Sequence, residues 1–380
     1  MKKALIAAAV AGAFAAPSAM AAELSTNVYW SQAVAIGETT TTTAAGVDST
    51  ANNDKVFDGG GNRLMFTWTD TLDNGIGVSA YLSFGNLGTA NAGGVNTRNA
   101  NVGFNGDFGT VQVGANEHFS ETDLIFDPSY ADFGDTGDAL SFIRVGQTGF
   151  NFTRRDSESV WFTSNSMNGF QIRAAYIMGP EALSSAAVDP QGTQFGLTYS
   201  NGPLMVGVNQ ATYEDYAATG SESATADAGN ANGTTVAAPG VAGSETKMTT
   251  IRGSYDMGMV MVKAARWTIE QTGFTNVGVA ANASGLEVEG SSIYVGMPVG
   301  GGTLWAQSSS LGDQDSTVAG VTSAIAQSGK SGFDVGFHMP MNANVNMFAR
   351  YGESETDLNF DATAGSTETE QFMFGWQLMY

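Results

Sequence analysis

Along this chain apolar and polar residues alternate one by one in pieces of about ten residues, and the 3.6-residue spacing of amphipathic helices is scarce. Leu64, Phe66 and Trp68 alternate with Arg63, Met65 and Thr67. Ile76, Val78, Ala80, Leu82 and Phe84 alternate with small or polar neighbours, as do Phe170, Ile172, Ala174 and Tyr176, Phe195, Leu197 and Tyr199, and Val345, Met347, Ala349 and Tyr351. Each piece predicts a β-strand with one apolar face and one small, polar or charged face.

The connections alternate in length. Short turns fall at Asp73-Asn74-Gly75, Gly106 to Gly109, Asn168-Gly169, Asn201-Gly202-Pro203, Asp256-Met257-Gly258, Pro298 to Gly302 and Pro340 to Asn342. Asn-Gly and related pairs suit tight hairpins, which need positive φ. Between them lie polar loops, the longest at Glu38–Lys55, Asn116–Gln147, Glu214–Thr246, Thr272–Gly285 and Gly312–Lys330. Seven short turns on one side and eight loops on the other demand sixteen strands. In a soluble sandwich, loop lengths have no reason to alternate by side. Short turns at one rim and long loops at the other are the mark of a transmembrane antiparallel β-barrel, with periplasmic turns and extracellular loops. Such a barrel also pairs every backbone group and leaves no sheet edge in lipid.

The last predicted strand is the sharpest local signal. Phe372, Phe374, Trp376, Leu378 and Tyr380 share one face, and Gln371, Met373, Gly375 and Gln377 the other. Outer-membrane barrels end on strands of this kind.

Composition narrows the class. With 37 acidic and 15 basic residues, a formal charge of −22, the chain lacks the basic footprint that nucleic acid demands. Cys is absent, which excludes disulfides, thiolate catalysis and Cys-ligated metal. Lys2 and Lys3, the apolar stretch Ala4 to Ala16 and the small-x-small site Ala19-Met20-Ala21 read as a signal peptide, residues 1–21. Residues 22–380 are then one barrel domain, and no later apolar run reaches the ~20 residues of a membrane helix.

Several stretches resemble the Gram-negative general (diffusion) porin family. Asn62-Arg63-Leu64-Met65-Phe66 through Asp73-Asn74-Gly75-Ile76 is similar to that family's second strand, turn and third strand. Arg98 to Phe104 and Gly109 to Gly114 resemble its fourth and fifth strands, Phe133-Gly134-Asp135-Thr136 the tip of its third loop, and Asp156-Ser157 to Ile172 its sixth and seventh strands. One departure is that Ala115-Asn116 stand where the family often has an Arg.

The resemblance implies a trimeric channel whose third loop folds into the lumen, its acids facing wall arginines. The corresponding segment carries Glu117, Glu121, Asp123, Asp127, Asp132, Asp135 and Asp138. Phe119, Leu124, Ile125, Phe126, Tyr130 and Phe133 favour insertion over a free, solvated loop, because apolar groups would anchor the segment against the wall. For the basic side, Arg63 has the inward parity. Arg154 and Arg155 both match the family position, Arg144 is a further candidate, and Arg98 matches by motif but shares parity with Val102 and Phe104. That conflict requires either a bulge or a strand of mixed faces. Arg173, Arg252 and Arg350 also read as lumenal.

Other classes are weaker. A hydrolase needs a Ser/His pair and an orienting group, and only His118 and His338 exist. Asp313-Gln314-Asp315 has no spaced ligand series for Ca²⁺. Neither Gly59-Gly60-Gly61 nor Gly300-Gly301-Gly302 is followed by the Lys-Ser/Thr of a phosphate loop. The sequence therefore predicts no enzyme, cofactor or metal. It predicts a homotrimeric outer-membrane diffusion channel for ions and small hydrophilic solutes, mildly cation-selective, with membrane lipid as its surroundings. The alternatives are a substrate-specific channel and a structural or adhesive barrel.

Overall fold

The computed structural model describes residues 23–58, 62–85, 87, 95–126, 155–179, 189–215, 243–273, 283–318, 320–325, 329–357 and 365–380. The strands, in chain order, are β1 (Glu23–Thr43), β2 (Asp48–Asn52), β3 (Lys55–Asp58), β4 (Arg63–Thr71), β5 (Gly77–Gly85), β6 (Asn96–Gly106), β7 (Gly109–Glu117), β8 (Arg155–Thr163), β9 (Phe170–Met178) and β10 (Gln191–Asn201). They continue as β11 (Leu204–Glu214), β12 (Glu245–Asp256), β13 (Met261–Thr272), β14 (Ala283–Val299), β15 (Gly302–Leu311), β16 (Gln314–Val318), β17 (Val321–Ile325), β18 (Lys330–Pro340), β19 (Val345–Thr356) and β20 (Gly365–Met379). All pair antiparallel in one sheet.

Sixteen of these strands make a closed barrel, each paired with its neighbour in chain order. β1 closes the ring against β20, from Tyr29 opposite Met379 to Thr43 opposite Gly365. All seven short turns fall where the sequence places them. Of the remaining four strands, β2, β16 and β17 lie in two segments expected to be polar loops, and β3 starts at the end of the first. β2 and β3 continue the pairing along β1, and β16 and β17 form a hairpin beside β14. The end of β1 with β2 and β3, and β16 with β17, are therefore raised parts of the wall. Their sequences conceal this because polar residues occupy both faces, so no apolar alternation betrays a strand. No helix among the described residues is long and apolar enough to cross a membrane; the crossing is made by strands.

The exposed apolar face points outward. Phe195, Ile251, Ile293, Phe372 and Trp376 are all exposed, whereas their sequence neighbours are buried or half-buried. A soluble protein would reverse this. In lipid it is the favourable arrangement. The terminal strand keeps the predicted faces, with Phe372, Phe374, Trp376 and Leu378 outward and Gln371, Met373, Gly375 and Gln377 inward.

The inner face departs from expectation. Across β8 to β15 it is mixed: Trp161, Ile177, Tyr213, Met248, Trp267, Ile269, Leu286 and Trp305 are buried in apolar patches, beside buried Gln194, Asn209, Thr250, Gln271, Ser292 and Gln307. Trp267 fits there because its cross-strand neighbour is Gly290, where a Cβ would come within 2.3 Å of the indole. Across β5 to β7 the inner face is polar, as expected, and carries Ser83, Asn101 and Gln112. Apolar patches on a lumen wall need a cover, and the segment after β7 supplies part of one.

Candidate functional site

After Glu117 the chain turns inward. Residues 118–126 form one helical turn, Phe119–Asp123, and a short irregular run. His118 caps the turn: its Nδ1 accepts the Ser120 N–H at 3.0 Å. That position is polar but fully buried. Phe119, Leu124 and Phe126 join the apolar cluster of the inner wall, and Phe119 meets Trp161 edge-on with ring centres 4.8 Å apart.

Two carboxylates tie this segment to the wall. Asp123 gives one oxygen to each of two arginines: Oδ2 lies 2.5 Å from Arg173 Nη2 of β9, and Oδ1 lies 2.8 Å from Arg252 Nη2 of β12. The Arg173 guanidinium also lies over the Phe119 ring, 4.4 Å from its centre. Glu117 ends β7, so it belongs to the wall and not to the loop where the sequence placed it. Its Oε1 accepts from Arg155 Nη2 at 2.9 Å and lies 3.7 Å from Arg63 Nη1. Arg98 adds a third positive charge nearby.

Two irregularities aim these groups. The β5–β6 pairing shifts between Ser83 and Phe84, so Arg98 is the extra residue of a bulge. This resolves the parity conflict: the bulge buries Arg98 while Val102, beyond it, stays on the outer face. The β7–β8 register shifts between Gly114 and Asn116. Gly114 has φ 124° and packs against the Ala100 carbonyl, a place no side chain can occupy. Bulges of this kind re-aim side chains at a sheet's end, and here one stands beside Glu117 and Arg155.

Beneath the helical turn lies a buried polar set that the sequence reading missed. Asp156 Oδ2 accepts from Tyr213 Oη at 2.8 Å and from Gln194 Nε2 at 3.2 Å, and Gln194 Oε1 accepts the Phe119 N–H at 3.1 Å. Further on, Lys263 Nζ donates to the Phe126 carbonyl at 3.1 Å and lies 5.0 Å from the Tyr294 ring centre. No short motif marks these residues. Each comes from a different strand, and only the side-by-side pairing of β8 to β14 assembles them.

Of the predicted site residues, Glu117, Arg63, Arg98 and Arg155 come together at the end of β7, and Asp123 stands apart from them, between Arg173 and Arg252. The Glu121 backbone lies in the helical turn. Asp127, Asp132, Asp135, Asp138, Arg144 and Arg154 lie outside the described residues, as does the signal segment. Of the three further arginines, Arg173 and Arg252 grip the loop, and Arg350 is buried on the inner face of β19. Among the described residues no three His, Asp or Glu side chains are placed to share a metal ion.

Comparison with known proteins agrees with this architecture. The sequence matches no curated protein. Among solved structures, a loop-deleted OmpT of Vibrio cholerae is 14% identical with a TM-score of 0.67, covering 95% of this chain and 100% of that one. An anion-selective porin from Comamonas acidovorans is 15% identical with a TM-score of 0.66, covering 94% and 100%. An OmpF of Salmonella typhi, in complex with daunomycin, is 12% identical with a TM-score of 0.56, covering 93% and 97%. At these identities the likeness is one of fold. The profile of the Gram-negative porin family, however, matches residues 6–377, so the chain belongs to that family and is a channel-forming barrel of the bacterial outer membrane.

Proposed function

We propose that this porin is a passive, non-enzymatic diffusion channel for ions and small hydrophilic solutes, narrowed by the segment that follows β7. The observation that carries this reading is the inward turn of residues 118–126, fixed to the wall through Asp123, Phe119 and Phe126. Asp127, Asp132, Asp135 and Asp138 follow in the same segment and are the acids of the proposed constriction, with Glu117, Glu121 and Asp123 at its root. Arg63, Arg98, Arg144, Arg154 and Arg155 are its basic partners. Purified protein in planar bilayers should give stepwise conductance. Silent bilayers containing correctly folded protein would refute the channel. Liposome swelling with a panel of solutes separates general diffusion from uptake of one solute class.

A mild cation preference follows from the acid-rich segment and from the 37 acidic against 15 basic residues, because opposed charge in a narrow, partly dewatered passage enriches the counter-ion. A specific observation favours the opposite sign. Glu117 and Asp123 are met by Arg63, Arg98, Arg155, Arg173 and Arg252, so the loop's root carries more positive than negative charge. One relative of the same fold is an anion-selective porin. The sign of the reversal potential across a KCl gradient decides between the two.

The active form is proposed to be a homotrimer, since an OmpT of Vibrio cholerae, 16% identical with a TM-score of 0.65, was solved as a trimer form. Crosslinking in mild detergent should yield a three-chain species; a clean monomer would overturn this. Cleavage after Ala21 is proposed for export, and amino-terminal sequencing of the membrane-embedded protein checks it.

A further inference from the structure

Two strands, β10 and β11, separate the two arginines that hold Asp123, and each offers a glycine to the lumen. Gly196 of β10 is the cross-strand partner of Arg173, and Gly207 of β11 that of Arg252. Both positions face inward. Two residues before Gly196, Gln194 accepts the Phe119 N–H, and two residues after Gly207, Asn209 Nδ2 donates to Ser120 Oγ at 3.4 Å. The arginines lie over the glycines. A Cβ at Gly196 would stand 3.2 Å from Arg173 Nε and 3.4 Å from its Nη2. A Cβ at Gly207 would stand 3.3 Å from Arg252 Nε and 3.2 Å from Thr198 Oγ1. From there each Nη2 goes on to one oxygen of Asp123.

The backbone itself does not ask for glycine at these places, since neither residue has a positive φ. Glycine inside a strand weakens it, and its usual reason is close approach of another group to the backbone. Here that group is a guanidinium. Gly253 gives the contrast: it follows Arg252 in sequence, lies opposite Val206, and a Cβ there would find nothing nearer than 3.5 Å. A guanidinium is a rigid planar fork, so lifting it off the wall moves all its donors together. The Asp123 side chain is only 2% exposed, and its two oxygens are met from opposite sides, from β9 and from β12. The height of the two guanidinium groups above β10 and β11 therefore sets the height of the carboxylate.

We infer that Gly196 and Gly207 are positioning residues of the narrowed lumen: by letting Arg173 and Arg252 lie along the wall, they fix where Asp123 sits and how far the segment after β7 projects into the passage. This rests on the proposed constriction. The test compares G196V and G207V with G253V, each checked for a folded barrel by heat-modifiable gel mobility. Chymotrypsin should cut within residues 118–126 about tenfold faster in G196V and in G207V than in the parent, because cleavage tracks the population of the opened segment. Single-channel current should become larger and noisier in both. G253V should match the parent. G196A should fall between the parent and G196V, and it carries the comparison if the valine variant does not fold. Asp123→Ala removes what the glycines position, so adding G196V to it should change neither readout further, whereas independent damage to the strand would add. Parent-like behaviour of G196A and both valine variants, equal loosening in G253V, or additive effects with Asp123→Ala overturns the positioning role. A silent parent in bilayers strikes the channel reading instead, and the cleavage rates still decide the role of the glycines.

Discussion

Glu117 and Asp123 stand six positions apart, and each is held by two arginines, yet they do different work. Glu117 closes the end of β7 and pairs with Arg155, its direct cross-strand partner, with Arg63 reaching in from β4. Its contacts join strands that the sheet already joins. Asp123 belongs to the segment that has left the sheet, and Arg173 and Arg252 hold it from β9 and β12. No backbone pairing substitutes for those contacts. The difference teaches that one chemical unit, a carboxylate between guanidinium groups, serves as reinforcement in one place and as a mooring in the other.

The sharpest way to break that comparison is Asp123→Ala. It leaves two arginines facing each other in a buried place, where removal of one partner of a buried ion pair costs about 3–5 kcal/mol. The loop root should detach while the barrel persists. Single-channel recordings should show larger, noisier current, and limited proteolysis should cut within residues 118–126. If Glu117→Ala does the same, the distinction between reinforcement and mooring fails. Phe119→Ala comes next. It removes the ring between Trp161 and the Arg173 guanidinium, and loss of a buried Phe costs about 3–5 kcal/mol where the site cannot collapse. Lumenal water lessens that cost here, so the current should become noisier than the parent's but less so than in Asp123→Ala.

Glu117→Gln sharpens the contrast by keeping shape and removing charge. A hydrogen bond to a charged group contributes about 1.5–3 kcal/mol, and the wall strands still hold one another. Mean conductance should change little, whereas the KCl reversal potential should move toward the anion-selective sign, since Arg63, Arg98 and Arg155 lose their counter-charge. An unmoved potential would place this cluster outside the ion path. The smallest effect belongs to Glu289→Ala on the outer face, where Glu289 pairs with Arg266 and both are exposed. Such pairs contribute about 0.2–1 kcal/mol. The heat-modifiable gel mobility should hold within a few degrees, with conductance unchanged.

The comparison also shows what a sequence can disclose. The wall is written locally: period-two alternation and turn residues suffice to count the sixteen strands and to place all seven turns. Arg63 was readable because its strand is regular. Arg98 was not, because a single bulge residue reverses parity and leaves no mark in composition. The apolar patches on the inner face of β8 to β15 were hidden for a related reason. In Ala174-Ala175-Tyr176-Ile177 both faces are apolar, so alternation cannot say that the inner one is covered. Asp123 was visible as one acid among seven. Its distinction from the others depends on Arg173 and Arg252, which come from strands far along the chain. Asp156, Gln194 and Tyr213 were invisible as a unit for the same reason.

The seam between β1 and β20 governs the order of assembly. The hydroxyls of Thr39 and Thr369 touch at 3.1 Å although they stand 330 positions apart in the chain. Until the final strand is in place, β1 offers an unpaired edge fifteen residues long, and such edges recruit any strand they meet. Contacts between residues so distant in sequence also form slowly, because closing a long loop costs entropy before any pairing repays it. Ring closure is therefore the late, committing event in the biogenesis of this barrel, and the intermediate that precedes it needs a shielded edge. A chain lacking Gly365–Met379 should accumulate as edge-to-edge aggregates, however sound its other strands.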